Sequence, residues 1–119
     1  MAHDEGHLDL RNWTTQIRKG LLELCALRLL ADGEMYGYDL VKRLASAKTL
    51  VVTEGTVYPL LSRLHKAGLV KSRLEESSSG PARRYYSLTE EGKETLVLMQ
   101  MYWEEVQRSV ASLKLQIQS

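Results

Sequence analysis

At 119 residues, 44% hydrophobic and 26% charged, the chain has the length and balance of one globular domain with a modest core. No run is apolar enough to cross a bilayer, and the acidic start MAHDEGHLDL lacks the apolar stretch of a signal peptide, so a cytoplasmic protein is expected, with no membrane partner. The net charge of +1 hides an uneven distribution: residues 36–84 carry nine basic against four acidic side chains, +5, between flanks of −2 each. A basic module between acidic flanks suits a polyanion-binding face. The lone cysteine, Cys25, forms no internal disulfide and lies within LLELCALRLL, where it reads as a small core residue.

Residues 1–12 are polar and read as a flexible N-terminal segment. His3 and His7 stand four apart there, but Asp4 occupies the place that a HExxH zinc motif gives to Glu, so no metal site is expected. A helix is predicted from about Thr14 to Ala31, apolar on almost every side, with Ile17, Leu21, Leu22, Leu24, Leu27, Leu29 and Leu30 packed by several neighbours. ADGEMYG ends it, with Gly33 suited to the left-handed position. YGYDLVKRLAS gives a short second helix with Leu40, Val41 and Leu44 inward. KTLVV is a connection.

The third helix opens at Thr53, a good N-cap, and runs to about Ala67 with Val57, Leu60, Leu61 and Leu64 as its core stripe. Its first turns, EGTVYP, contain Gly55 and Pro59, residues that a helix interior disfavours, and Pro59 is expected to distort the start. Two strand-like pieces, LVKSRLE and RRYYSL, flank ESSSGPA and form a hairpin. A last helix is capped by Thr89, with Leu96, Met99, Trp103, Val106, Val110, Leu113 and Ile117 at alternating spacings of three and four.

Three helices followed by a hairpin with a basic, glycine-containing tip describe a mainly α fold with a small β-hairpin, a winged helix-turn-helix over residues 13–88, joined to a long C-terminal dimerisation helix over 89–119. In such folds the second helix of the pair enters the major groove and reads bases from its N-terminal end. That accounts for the odd front of the third helix. Gly55 lets the backbone approach DNA, and the N-terminal amides suit a phosphate. Thr56, Tyr58, Ser62, Arg63 and Lys66 lie near its outer side, although Tyr58 reads equally well as packing on the second helix. Tyr38, Lys42 and Thr53, with Gly80, Arg83 and Arg84 of the hairpin, complete the candidate contacts to double-stranded DNA. Arg83 and Arg84 are adjacent, so strand alternation leaves open that only one of them faces the duplex.

GLLELCALRLLADGEMYGYDLVKRL, TEGTVYPLLSRLHKAGLV and GPARRYYSLTEEG resemble, in that order, the PadR family of bacterial transcriptional regulators over roughly residues 17–95. The single C-terminal helix is similar to the short subfamily, which includes multidrug-responsive repressors. The resemblance implies a homodimer that represses from a roughly palindromic operator and often loosens when a small effector binds. In some drug-responsive relatives a tryptophan on this helix lines a flat pocket at the dimer interface, and the resemblance offers Trp103 for that place. Here Met99 and Tyr102 flank Trp103, a setting for a planar aromatic effector, and Trp13 is a further candidate wall; packing of the dimer alone is the plainer reading of Trp103.

The last helix independently asks for a partner. An unbroken seam on a helix spanning about 33 Å, at ~1.5 Å per residue, is too long for so small a body to cover. A dimeric winged-helix interaction module without DNA is the alternative reading. An enzyme is set aside, because His3, His7, His65 and Cys25 assemble no nucleophile–base pair or metal set, and no cofactor is expected.

Overall fold

The computed structural model describes residues 9–114, so His3, His7 and Ile117 lie outside the described residues. Helix α1, Leu10–Leu30, starts where the Asp9 carboxylate accepts the Asn12 N–H at 3.3 Å. It begins ahead of the expected Thr14, so that Leu10, Arg11 and Asn12, assigned by sequence to the flexible segment, form its first turn. Leu22, Leu24, Ala26, Leu27 and Leu30 are buried, whereas Ile17 is 43% exposed. Packing on several faces therefore holds only for the C-terminal half; the rest projects beyond the core. Gly33 takes φ +137° just after the helix, as its place in the sequence suggested.

A two-residue strand β1, Met35–Tyr36, leads directly into α2, Gly37–Ala45. A 3₁₀ turn at Lys48–Leu50 and Val51 connect to α3, Glu54–Lys66, with Thr53 as N-cap. Strands β2, Val70–Glu75, and β3, Arg83–Leu88, make the hairpin, and α4, Glu90–Ser112, follows. The sheet has three antiparallel strands in the order β1-β3-β2, not the expected two, because β1 pairs Met35 with Tyr86 and Tyr36 with Tyr85. Two residues are too few to show a period of two in sequence.

One core joins these elements: Leu27 and Leu30 of α1, Leu40, Val41 and Leu44 of α2, Val57, Leu60, Leu61 and Leu64 of α3, and Val70, Tyr86 and Leu88 of the sheet. The inward stripes read from α2 and α3 are all buried. On β3, alternation sends Tyr86 and Leu88 into this core and leaves Arg83 and Tyr85 on the opposite face. Cys25 is half-buried beside it, and burial raises its thiol pKa against the lesser pull of Arg28, which fits an inert packing residue.

Helix α4 is fastened at its start. The Thr89 hydroxyl donates to the Gly68 carbonyl at 2.6 Å and accepts the Gly92 N–H at 2.9 Å, while the Thr89 N–H reaches the Leu69 carbonyl at 3.1 Å. A side chain at Gly92 would overlap the Leu69 carbonyl oxygen. From there α4 runs past the core and ends at Ser112; Leu113, read as part of the helix, is its extended C-cap with φ −84° and ψ 94°. The seam thus leaves the helix after Val110.

Candidate nucleic-acid interface

With Val57, Leu60, Leu61 and Leu64 buried, the 3.6-residue period turns Gly55, Pro59, Ser62 and Lys66 into the outermost row of α3, and all four are exposed. Helix α3 runs unbroken through Pro59, contrary to the distortion expected there, and the molecule has no cis peptide among the described residues. The proline sits on the solvent side, where the lost N–H partner of the Gly55 carbonyl is replaceable by water. Nothing in the fold demands glycine at 55: an added Cβ would meet only Thr53 Oγ1, at 3.6 Å.

The two flanks of that row differ. On one side Thr56, Pro59 and Arg63 line a cleft of about 570 Å³ against Lys19, Gly20 and Glu23 of α1. The Thr56 hydroxyl is already engaged, accepting the Thr53 N–H at 3.2 Å and donating to the Thr53 carbonyl at 2.8 Å. Its position closes the helix cap, so the free base-contacting donor expected at Thr56 is committed elsewhere in this arrangement. Thr53 itself is exposed in extended conformation at the N-cap.

On the other side Tyr58 leans on α2. A Cβ at Gly37 would lie 3.4 Å from its ring and 3.1 Å from that of Tyr86, so both packing and exposure apply to Tyr58, which remains 40% exposed. Desolvation, and then the charge of Glu54, raise its pKa, which keeps the hydroxyl protonated and able to donate. Tyr38, next after Gly37 in the first turn of α2, is 45% exposed, with the Lys42 ammonium 5.0 Å from its ring centre. Lys42 also meets Asp39 at 3.8 Å, an exposed pair.

The hairpin separates its two arginines. Arg84 shares the strand face of Tyr86, turned to the helices, and its Nη1 donates to Ser72 Oγ at 3.0 Å. Arg83 is on the opposite face, its guanidinium 5.0 Å from the Tyr36 ring centre. The alternation left open by the sequence is therefore realised. Gly80 is exposed in the connecting loop, with no neighbouring atom that a Cβ would touch. Three residues escaped the sequence reading: Lys19 on the α1 side of the cleft, Gly37 beneath Tyr58, and Arg73, whose charge is taken up by Glu34 and Glu75. Except for Arg73 and Glu75, two apart on one strand, only spatial proximity joins these residues to their partners.

A second concave surface lies between α1 and α4. This groove of about 540 Å³ has Ile17, Leu21 and Leu24 on one wall and Met99, Tyr102, Trp103 and Val106 on the other. Trp13, a candidate wall by sequence, does not line it; it stands 51% exposed in the first turn of α1. Leu96 and Met99 pack against the chain's own core, whereas Val110 is 65% exposed and Leu113 73% exposed. Among the described residues, no three His, Cys, Asp or Glu side chains gather as a metal site.

Comparison with known proteins agrees with this geometry. Residues 26–97 match the transcriptional regulator PadR-like family. The chain is 34% identical over 95 residues to transcriptional regulator Rv3488 of Mycobacterium tuberculosis, covering 80% of this chain and 87% of that protein. It is similar to the crystal structure of a PadR-like transcriptional regulator from Bacillus cereus, with TM-score 0.74 and 40% identity over 87% of this chain and 99% of the other. A PadR family regulator from Eggerthella lenta superposes with TM-score 0.77 at 32% identity, over 87% and 90% of the two chains. A winged helix-turn-helix with this much shared sequence leads to one conclusion: the chain belongs to the PadR-like family of transcriptional regulators.

Proposed function

We propose that the protein is a cytoplasmic, sequence-specific repressor that binds a roughly palindromic operator as a homodimer and releases it when a small planar aromatic effector occupies the α1–α4 groove. The observation that carries the DNA reading is Gly55. It costs helix stability and relieves no crowding within the chain, so its small size serves something outside the chain. It stands in the exposed row with Ser62 and Lys66, between Arg63 on one flank and Tyr58 on the other. Duplex DNA fits that need, since the front of a recognition helix approaches base edges and phosphate closely.

Replacing Gly55 with Ala tests this directly. The fold should gain about 0.5–1 kcal/mol, the usual preference of a helix for Ala over Gly. Operator affinity should nevertheless fall about tenfold or more, read by titration of a labelled inverted repeat from DNA flanking the coding region. Unchanged affinity together with raised stability would leave the glycine unexplained by DNA and favour an interaction module instead. The dimer reading is supported by Val110 and Leu113, left exposed on a helix that outruns its core, and by the apolar groove beside Trp103. Two copies related by a two-fold axis match two half-sites.

A further inference from the structure

Arg73 stands on the face of the hairpin opposite the helices, and its guanidinium is engaged on three sides. Nε donates to Glu34 Oε2 at 2.8 Å and Nη2 to Glu34 Oε1 at 2.7 Å, a bidentate pair. Nη1 donates to Glu75 Oε1 at 2.8 Å, and the guanidinium carbon lies 4.8 Å from the centre of the Tyr85 ring. Glu34 precedes β1, in the stretch that links α1 to α2, while Arg73 is in the middle of β2, 39 residues later. The pair therefore bridges the helix-turn-helix half to the outer strand of the sheet, across β3.

Such a half-exposed pair contributes little to global stability, because water screens it. Its geometric effect is local. Beside this pair, β1 is joined to the hairpin by two residue pairs with β3, by the Tyr36–Tyr85 ring contact at 5.7 Å between centres and by the Arg83 guanidinium over Tyr36, while the far end of the hairpin is a loop. The Arg73 guanidinium beside Glu34 also holds that carboxyl below its ordinary pKa of 4.5, so the pair stays ionised at neutral pH.

We infer that Arg73 is a positioning residue for operator binding: with Glu34 it straps the wing at the angle from which Arg84 and the Gly80 loop meet the duplex while α3 occupies the groove, and it contacts no phosphate itself. This rests on the DNA-binding reading above. It also sets Arg73 apart from the candidate DNA contacts Lys42, Arg63, Lys66, Arg83 and Arg84 among the nine basic residues of the central module.

The salt dependence of affinity separates the two roles. Arg73→Ala and Glu34→Gln should each weaken binding to the operator about tenfold at every salt concentration, with the slope of log K against log salt unchanged. Arg84→Ala should flatten that slope by about 0.9, the signature of one lost phosphate contact. The double variant Arg73→Ala/Glu34→Gln should be no weaker than either single one, since both remove the same strap. A flattened slope for Arg73→Ala, with Glu34→Gln binding normally, would make Arg73 a phosphate ligand and overturn the inference. Unchanged affinity in both would overturn it as well. Hydrogen exchange on the free protein tests the strap without DNA: amides of β1 and β2 should exchange faster in both variants while α3 keeps its protection. Uniformly faster exchange would mean general destabilisation and no local strap. Failure of wild-type protein to bind any operator would instead sink the DNA reading, leaving the exchange result to stand alone.

Discussion

Val51 has the backbone conformation least suited to its side chain. It sits at φ 52°, ψ 66°, in the left-handed region, just before the Thr53 cap of α3, and 59% of it is exposed. A β-branched residue there crowds its Cβ against the carbonyl, a strain of about 1–2 kcal/mol. Asparagine tolerates that region and would lose little burial. Val51→Asn should therefore raise stability by about 1 kcal/mol, measured as an upward shift of the urea midpoint at constant m-value. A lowered midpoint would show that Val51 makes contacts outweighing its strain. Tyr58 illustrates a different economy, because one ring both covers Gly37 and presents a protonated hydroxyl at the surface.

Among the elements, α3, β2 and α4 meet through their backbones. Gly68 and Leu69 end α3, and Thr89 and Gly92 of α4 bind directly to their carbonyls or pack upon them. Gly92→Ala forces the two backbones apart and should cost about 3 kcal/mol, the upper range for overpacking, seen as a drop in thermal midpoint. A loss below 1 kcal/mol would mean that α4 shifts freely at this point. The Thr-x-x-Gly spacing was legible as an N-cap followed by a first turn. That its glycine marks a close crossing with Leu69 was not, because the partner lies 23 positions away in a different element.

For the molecule as a whole, the extents of 61 × 34 × 25 Å reflect two helix ends that run past the core. In the dimer proposed above, a second copy would cover the groove between α1 and α4, with Trp103 in its wall, and the exposed Val110 one turn beyond Val106. A charge placed there would be buried without a partner, at a cost of about several kcal/mol. Val110→Glu should therefore be monomeric by light scattering, keep its helix content, and lose nearly all affinity for a two-half-site operator. A dimeric Val110→Glu that still binds DNA would remove α4 from the interface.

The amino-acid sequence alone determined the order of helices and hairpin, the buried stripes of α2 and α3, the caps at Thr53 and Thr89, and the family. These follow from periodicity, capping chemistry and motifs, all of which act within a few residues. Tertiary structure decided the rest. It supplied β1, too short to carry a period, and the early start of α1 at Asp9. It turned the Thr56 hydroxyl back onto its cap, split Arg83 from Arg84 across the strand, and left Trp13 outside the groove. It also joined Glu34 to Arg73. Strand β1 and the Glu34–Arg73 pair depend on groups that meet across long separations in the chain and leave no local pattern to read. The Thr56 and Asp9 bonds, by contrast, span three residues each, and there the sequence offered more than one local choice.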